Sequence, residues 1–132
     1  MNVAIVGSPQ ATYEEVCTAF EHSGFDPYHV LTVKGRSPHS HALRYAKEHL
    51  VSTLCVEVSD ETCWMVAHSY LIDFADAVVV VWDGEDVGVR QIIRLALDMR
   101  RRVYVYISLQ ELPFEPEQPV AYRMPLRRRR RR

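Results

Sequence analysis

The chain has 132 residues, enough for one domain with a core that needs no disulfide staples, and its 48% hydrophobic and 25% charged residues are those of an ordinary soluble globular protein. Its net charge of −1 conceals a division: Arg127, Arg128, Arg129, Arg130, Arg131 and Arg132 form an unbroken run, and without them ten basic residues face seventeen acidic ones, leaving about −7. No apolar run reaches the ~18 residues that span a bilayer, and MNVAIVGS has no basic flank before its apolar stretch, so a cytoplasmic protein without a membrane partner is expected.

Residues 2–7, NVAIVG, read as a short buried strand ending in Gly7-Ser8-Pro9. Tyr13, Val16, Cys17 and Phe20 recur on one face of a helix, which Ser23-Gly24 stops. Tyr28 to Val33 make a second strand. Ser37-Pro38 opens a second helix, whose buried face is Ala42, Leu43, Ala46 and Leu50. Thr53 to Val58 make a third strand, and Asp60 is an apt N-cap for a third helix with Met65, Leu71, Ile72 and Ala75 in the core.

The fourth unit is the most telling. In ADAVVVVWDGEDVGVRQIIRLA, Val78 to Trp82 form a buried strand that runs into Asp83-Gly84, and Gly88 precedes an amphipathic helix over about 87–100. That helix buries a combination of Ile92, Ile93, Ala96, Leu97 and Met99, and Arg100 to Arg102 complement its negative C-terminal dipole. Val103 to Ile107 make the fifth strand. Strands alternating with helices at these spacings predict an α/β protein, a Rossmann-like three-layer sandwich with a central, mostly parallel five-stranded sheet spanning residues 1–109. Near-continuous apolar strands place helices on both faces. Beyond Leu109, Pro113, Pro116, Pro119 and Pro125 among glutamates make 110–126 an extended linker or surface strap, and 127–132 a separate tail.

In a doubly wound sheet, ligands bind where the loops after the two central strands splay apart. This places Gly7-Ser8 opposite Asp83-Gly84 across a crevice. Gly7 and Gly88 let the backbone approach a ligand, and Arg90 stands close enough to meet a phosphate.

The same segments resemble a known family. A first strand ending in Gly-Ser, RYAKEH on the second helix, and FADAVVVVWDG-x-x-x-G-x-R-x-x-I-x-x-A leading to VYVYI are similar to the SLOG superfamily, nearest to its small DUF2493 / YspA-like group, related to the LOG and DprA proteins. The resemblance covers Val3–Ser8, a weaker stretch from Gly35 to His49, and Asp73 to Ile107. It implies a module that binds a nucleotide or nucleotide derivative in a sensing or accessory role, with self-association common among members. By position, Gly7 and Ser8 would line one phosphate loop, and Asp83, Gly84, Gly88, Val89 and Arg90 the other. Three features depart from the family. Val89 stands where a threonine is common, Val33-Lys34-Gly35-Arg36-Ser37-Pro38-His39 keeps only Gly35 of a glycine-rich stretch, and Ala67-His68 replaces an R-N pair.

Other chemistries are weaker. Glu57, Asp60, Glu61 and Asp83 near strand ends could serve a nucleotide N-glycosidic-bond hydrolase, but carboxylates in loops are ordinarily solvated, so no catalytic residue is assigned. No Ser-His-Asp arrangement, Walker loop or G-x-G-x-x-G occurs. His39 and His41 point about 200° apart if helical, a poor chelate. No metal or cofactor is therefore expected. Cys17, Cys55 and Cys63 form no C-x-x-C pair and read as reduced core thiols. The arginine run would bind DNA or RNA backbones without reading sequence, with a salt slope of roughly −4 to −5 on single strands. Its alternatives are an incidental extension or docking on the acidic body.

Overall fold

Strands and helices alternate along the residues that the computed structural model describes, 1–35, 37–57 and 64–108. In order they are β1 (Asn2–Gly7), α1 (Tyr13–Ser23), β2 (His29–Val33), α2 (His39–Glu48), β3 (Ser52–Val56), α3 (Trp64–Phe74), β4 (Ala77–Trp82), α4 (Val87–Asp98) and β5 (Arg102–Ile107). The five strands make one sheet in the order β3-β2-β1-β4-β5, and every neighbouring pair is parallel. This is an α/β fold of the Rossmann-like sandwich type. The linker at 110–126, the tail at 127–132, and Asp60, Glu61 and Cys63 lie outside the described residues.

The order follows from how each side of the strands is covered. Odd-numbered residues of β1 and β4 (Val3, Ile5, Ala77, Val79, Val81) join Val30 beneath Val16, Ala19 and Phe20 of α1 and Ala42 and Ala46 of α2. Ala4, Val6, Val78 and Val80 point the other way, joining Leu31 and Val33 beneath Ala67, Leu71 and Ile72 of α3 and Val89, Ile92 and Ala96 of α4. Each large apolar side chain buried in these layers contributes about 1.5–3 kcal/mol. The continuous apolar reading of Val78 to Val81 reflects burial on both sides, whereas Trp82 is only half-buried.

The edge strands differ. In β3, Leu54 and Cys55 are exposed, and in β5 no residue is fully buried. Cys55 is thus an exposed thiol on an edge strand rather than a core residue, while Cys17 is half-buried. Leu50 also departs from expectation. The helix ends at Glu48, the chain turns through Leu50 with φ 56°, and the Leu50 side chain is 94% exposed. Leu97 is likewise exposed, and Leu43 only half-buried.

Local chemistry accounts for the helix ends. Thr12 and Glu15 form a reciprocal capping box at α1, and Gly24 closes that helix in the left-handed conformation. Arg101 donates from Nε to the carbonyl of Ile72 (3.1 Å) and from its two terminal nitrogens to Met99 (2.9 Å) and Asp73 (3.3 Å). One guanidinium thereby satisfies carbonyls at the ends of both α3 and α4, where the helix dipoles favour a cation.

Candidate functional site

The order in which strands are added reverses between β1 and β4, so α1 leaves β1 towards one face and α4 leaves β4 towards the other. The loops that follow them are tied together. Ser8 is buried, donates its backbone N–H to the Val81 carbonyl (2.9 Å), and accepts the Asp83 N–H on its hydroxyl (3.0 Å). Asp83 in turn accepts the N–H groups of Glu85 and Asp86 on Oδ1, both at 2.8 Å. These amides are the ones a phosphate would have needed. The crevice expected between Gly7-Ser8 and Asp83-Gly84 is therefore closed. A void of about 10 Å³ remains, lined by Ser8, Gln10, Ala11, Val81, Asp83 and Ser108, which is room for one water. Gly84 serves the turn itself, with φ 86°.

An open cleft of about 370 Å³ lies instead between the loops after β1 and β2 and the first turns of α3 and α4. Its lining is Val6, Gly7, Pro9, Gly35, Ser37, Trp64, His68, Asp86 and Val89. Of the residues expected from sequence, the structure brings Gly7, Gly35 and Val89 together here. A Cβ on Gly7 would stand 3.3 Å from Cδ of Pro38 and from the Val81 carbonyl oxygen, so this glycine lets the β2 loop close over β1. Gly35 has φ 80°, a left-handed turn with open space around it. The Ser37 hydroxyl donates to the Ser8 carbonyl (2.7 Å) and holds the two loops in register.

Gly88 has a different role from the one expected. A Cβ there would stand 2.8 Å from Cη2 of Trp64, so the glycine makes room for an indole rather than for a ligand. Val89 is buried and belongs to the core as well as to the cleft wall. Arg90 is exposed on α4 and does not line the cleft, and its N–H is bonded to the Asp86 carbonyl (3.1 Å).

Sequence reading assigned no ligand role to Trp64, His68, Asp86 or Ser37. Trp64 and His68 stand one turn apart at the start of α3, with ring centroids 4.7 Å apart. His68 Nδ1 lies 2.9 Å from the Trp64 carbonyl, which can only accept, so this nitrogen carries a proton and Nε2 is the basic nitrogen of the neutral ring. Asp86 caps α4 by accepting the Val89 N–H (3.1 Å), while its own carbonyl accepts the Trp82 indole N–H (3.0 Å). The only legible signal for Asp86 was an acidic residue directly before an apolar period.

Glu57 is paired at the surface with Lys34 (3.3 Å), leaving Asp86 as the carboxylate in the cleft among the described residues. His39 and His41 both lie in α2, where successive odd positions diverge. Burial, and secondarily the charge of Lys34, holds His39 below its ordinary pKa. Among the described residues no cluster of three or more His, Cys, Asp or Glu could hold a metal ion, and no helix is long and apolar enough to cross a membrane.

Fold and cleft together define a Rossmann-like α/β protein with a ligand-sized opening at the C-terminal edge of its sheet. Compared with protein-family models, with curated proteins and with solved structures, the chain has no match in any of the three.

Proposed function

We propose that this protein is a divergent SLOG-type module that binds a nucleotide or nucleotide derivative in the cleft and acts as a sensor or accessory factor. The observation that carries the reading is the cleft itself. It stands where parallel α/β sheets hold ligands, its volume is within the ~300–1,000 Å³ of small-molecule sites, and it offers an indole, an imidazole, a carboxylate and the Ser37 hydroxyl among glycines, valines and a proline. The resemblance of Val3–Ser8 and Asp73 to Ile107 to the SLOG superfamily supports a nucleotide-type ligand. Hydrolysis of an N-glycosidic bond is less well supported, because that chemistry generally uses a pair of carboxylates and the described lining supplies Asp86 alone.

A thermal-shift panel of nucleosides and of mono-, di- and cyclic nucleotides tests the reading. Saturation with a true ligand stabilises by about 2.7 kcal/mol at a hundredfold excess over Kd, a rise of several degrees, and Trp64→Ala abolishes it. A panel with no shift rejects the reading.

A second reading rests on the six arginines at 127–132. It assigns them to the DNA or RNA backbone, with affinity that falls steeply as salt rises. Deleting 127–132 should remove nucleic-acid binding and leave cleft binding intact. Retained nucleic-acid affinity would reject this role.

A further inference from the structure

We infer that the α4 end of the cleft takes the sugar hydroxyls of a nucleoside-type ligand, accepted by the Asp86 carboxylate and stacked beside the Trp64 indole, and that any phosphate points away from Asp86, towards the end lined by Gly35 and Ser37. The inference rests on the nucleotide reading above and gives the ligand an orientation. A phosphate at a helix N-terminus needs unspent N–H groups and a positive local field. At the start of α4 the positive field is offset: Asp86 brings a carboxylate into the cleft and already accepts the Val89 N–H. A phosphate set there would face a carboxylate across a partly desolvated gap. Several neighbouring donors are spent as well: Ser8 N–H goes to Val81, the N–H groups of Glu85 and Asp86 go to Asp83, and that of Arg90 goes to the Asp86 carbonyl.

What Asp86 can do is accept. An ionised carboxylate has about four lone-pair sites. The cap uses one of them, on Oδ1. A pair of sugar hydroxyls is a donor set that suits the remainder, and hydrogen bonds to an ionised acceptor are the stronger kind. Trp64 forms the adjoining wall, its ring edge seated on Gly88, and offers the flat apolar surface on which a base or sugar face packs. The end of the cleft at Gly35 and Ser37 has no carboxylate among its described lining residues. Lys34, beside Gly35 in the chain but outside that lining, is exposed and paired with Glu57 (3.3 Å), so a phosphate directed there gains little from charge.

Calorimetric titration of the full chain with adenosine, guanosine, cytidine and uridine, with their 5′-monophosphates, and with their 2′,3′-dideoxy forms tests this. The expected result is that the best nucleoside binds within about threefold of its 5′-monophosphate and that its dideoxy form loses about tenfold or more. Asp86→Asn, whose amide oxygen keeps the helix cap, should lose about tenfold for the ribonucleoside and little for the dideoxy form. The dideoxy comparison needs no variant and stands even if the substitution unfolds the chain. A monophosphate that binds tenfold tighter than its nucleoside, or that gains affinity in Asp86→Asn, overturns the orientation while leaving nucleotide binding in place. No binding by any of these compounds overturns both.

Discussion

The Trp64 indole lies so close over the first turn of α4 that a Cβ on Gly88 would stand 2.8 Å from its Cη2 atom and 3.1 Å from Cζ2. Two elements far apart in sequence thus meet through a residue with no side chain, and the contact fixes one wall of the cleft. Alanine at position 88 adds helix propensity, about 1 kcal/mol over glycine, but pushes the ring away. Gly88→Ala should therefore change stability by less than about 1 kcal/mol, while shifting the Trp64 indole N–H resonance and weakening cleft binding. In a Trp64→Ala background the same substitution should be more favourable, because the clash with the ring is gone and only a 3.2 Å approach to Asp86 Oδ1 opposes the propensity gain. A double-mutant cycle by urea denaturation measures this coupling. Additive effects would place the indole elsewhere.

Arg101 closes two helices at once, through the carbonyls of Ile72, Asp73 and Met99. Hydrogen bonds from a charged group contribute about 1.5–3 kcal/mol each where they are shielded, and partial exposure here reduces the total. Arg101→Ala is expected to cost about 2 kcal/mol by chemical denaturation. Arg101→Lys should recover less than half of that, since a single ammonium cannot span three carbonyls. Full recovery by lysine would mean that charge alone matters.

Leu50 and Arg100 end α2 and α4 with positive φ, 56° and 62°, where glycine is the natural residue. A side chain in that region costs about 1–2 kcal/mol. Part of the gain from glycine is offset by its greater freedom in the unfolded chain. Leu50→Gly and Arg100→Gly are each expected to stabilise by about 0.5–1 kcal/mol, read as a higher melting temperature. A lower melting temperature for Leu50→Gly would show that this side chain packs in the folded protein despite its exposure.

Tyr13, Arg44 and Glu48 join α1 to α2. The Tyr13 hydroxyl donates to the Glu48 carboxylate, and the Arg44 guanidinium lies 3.9 Å over the Tyr13 ring while its Nε bonds to Glu48 (3.2 Å). The Tyr13 hydrogen bond, and then that of Arg44, holds Glu48 below its ordinary 4.5. The same bond to Glu48, and then burial, holds Tyr13 above its ordinary 10.0. A lowered carboxyl pKa in the folded state adds stability that is present above 4.5 and lost as pH falls through the folded value. A raised phenol pKa adds stability that is present below 10.0 and lost as pH rises beyond it. Urea midpoints followed from about pH 3 to pH 11 should fall at both ends for the native chain and fall less for Tyr13→Phe. Parallel curves for the two proteins would show that the pair does not stabilise the fold.

Much of the fold was legible because its signals are local. Gly24 stops a helix, Val78 to Val81 carry burial on both sides, and the strand–helix alternation leaves few topologies open. Leu50 and Cys55 were misread for a physical reason: periodicity extends an apolar face past the point where the helix turns, and it cannot tell an edge strand from a central one. The site was harder to read. Gly7 and Gly35 announce themselves as turn residues, but the Trp64–Gly88 contact exists only once α3 and α4 are laid side by side on one face. Ser8 and Asp83 look like ligand groups in sequence, but the Ser8 hydroxyl accepts the Asp83 N–H and the Asp83 carboxylate accepts the N–H groups of Glu85 and Asp86 in its own loop.

The central claim is that the cleft walled by Trp64 holds a nucleotide-type ligand. It is tested most directly by titrating ¹⁵N-labelled protein with the nucleoside and nucleotide panel, using the Trp64 indole N–H, assigned with Trp64→Phe, as the reporter. The account predicts saturable shifts at that indole and at the amides of Gly7, Gly35 and Val89, which share the lining. Ligand-induced shifts that leave these four signals unmoved, or no saturable shift with any compound, would contradict it.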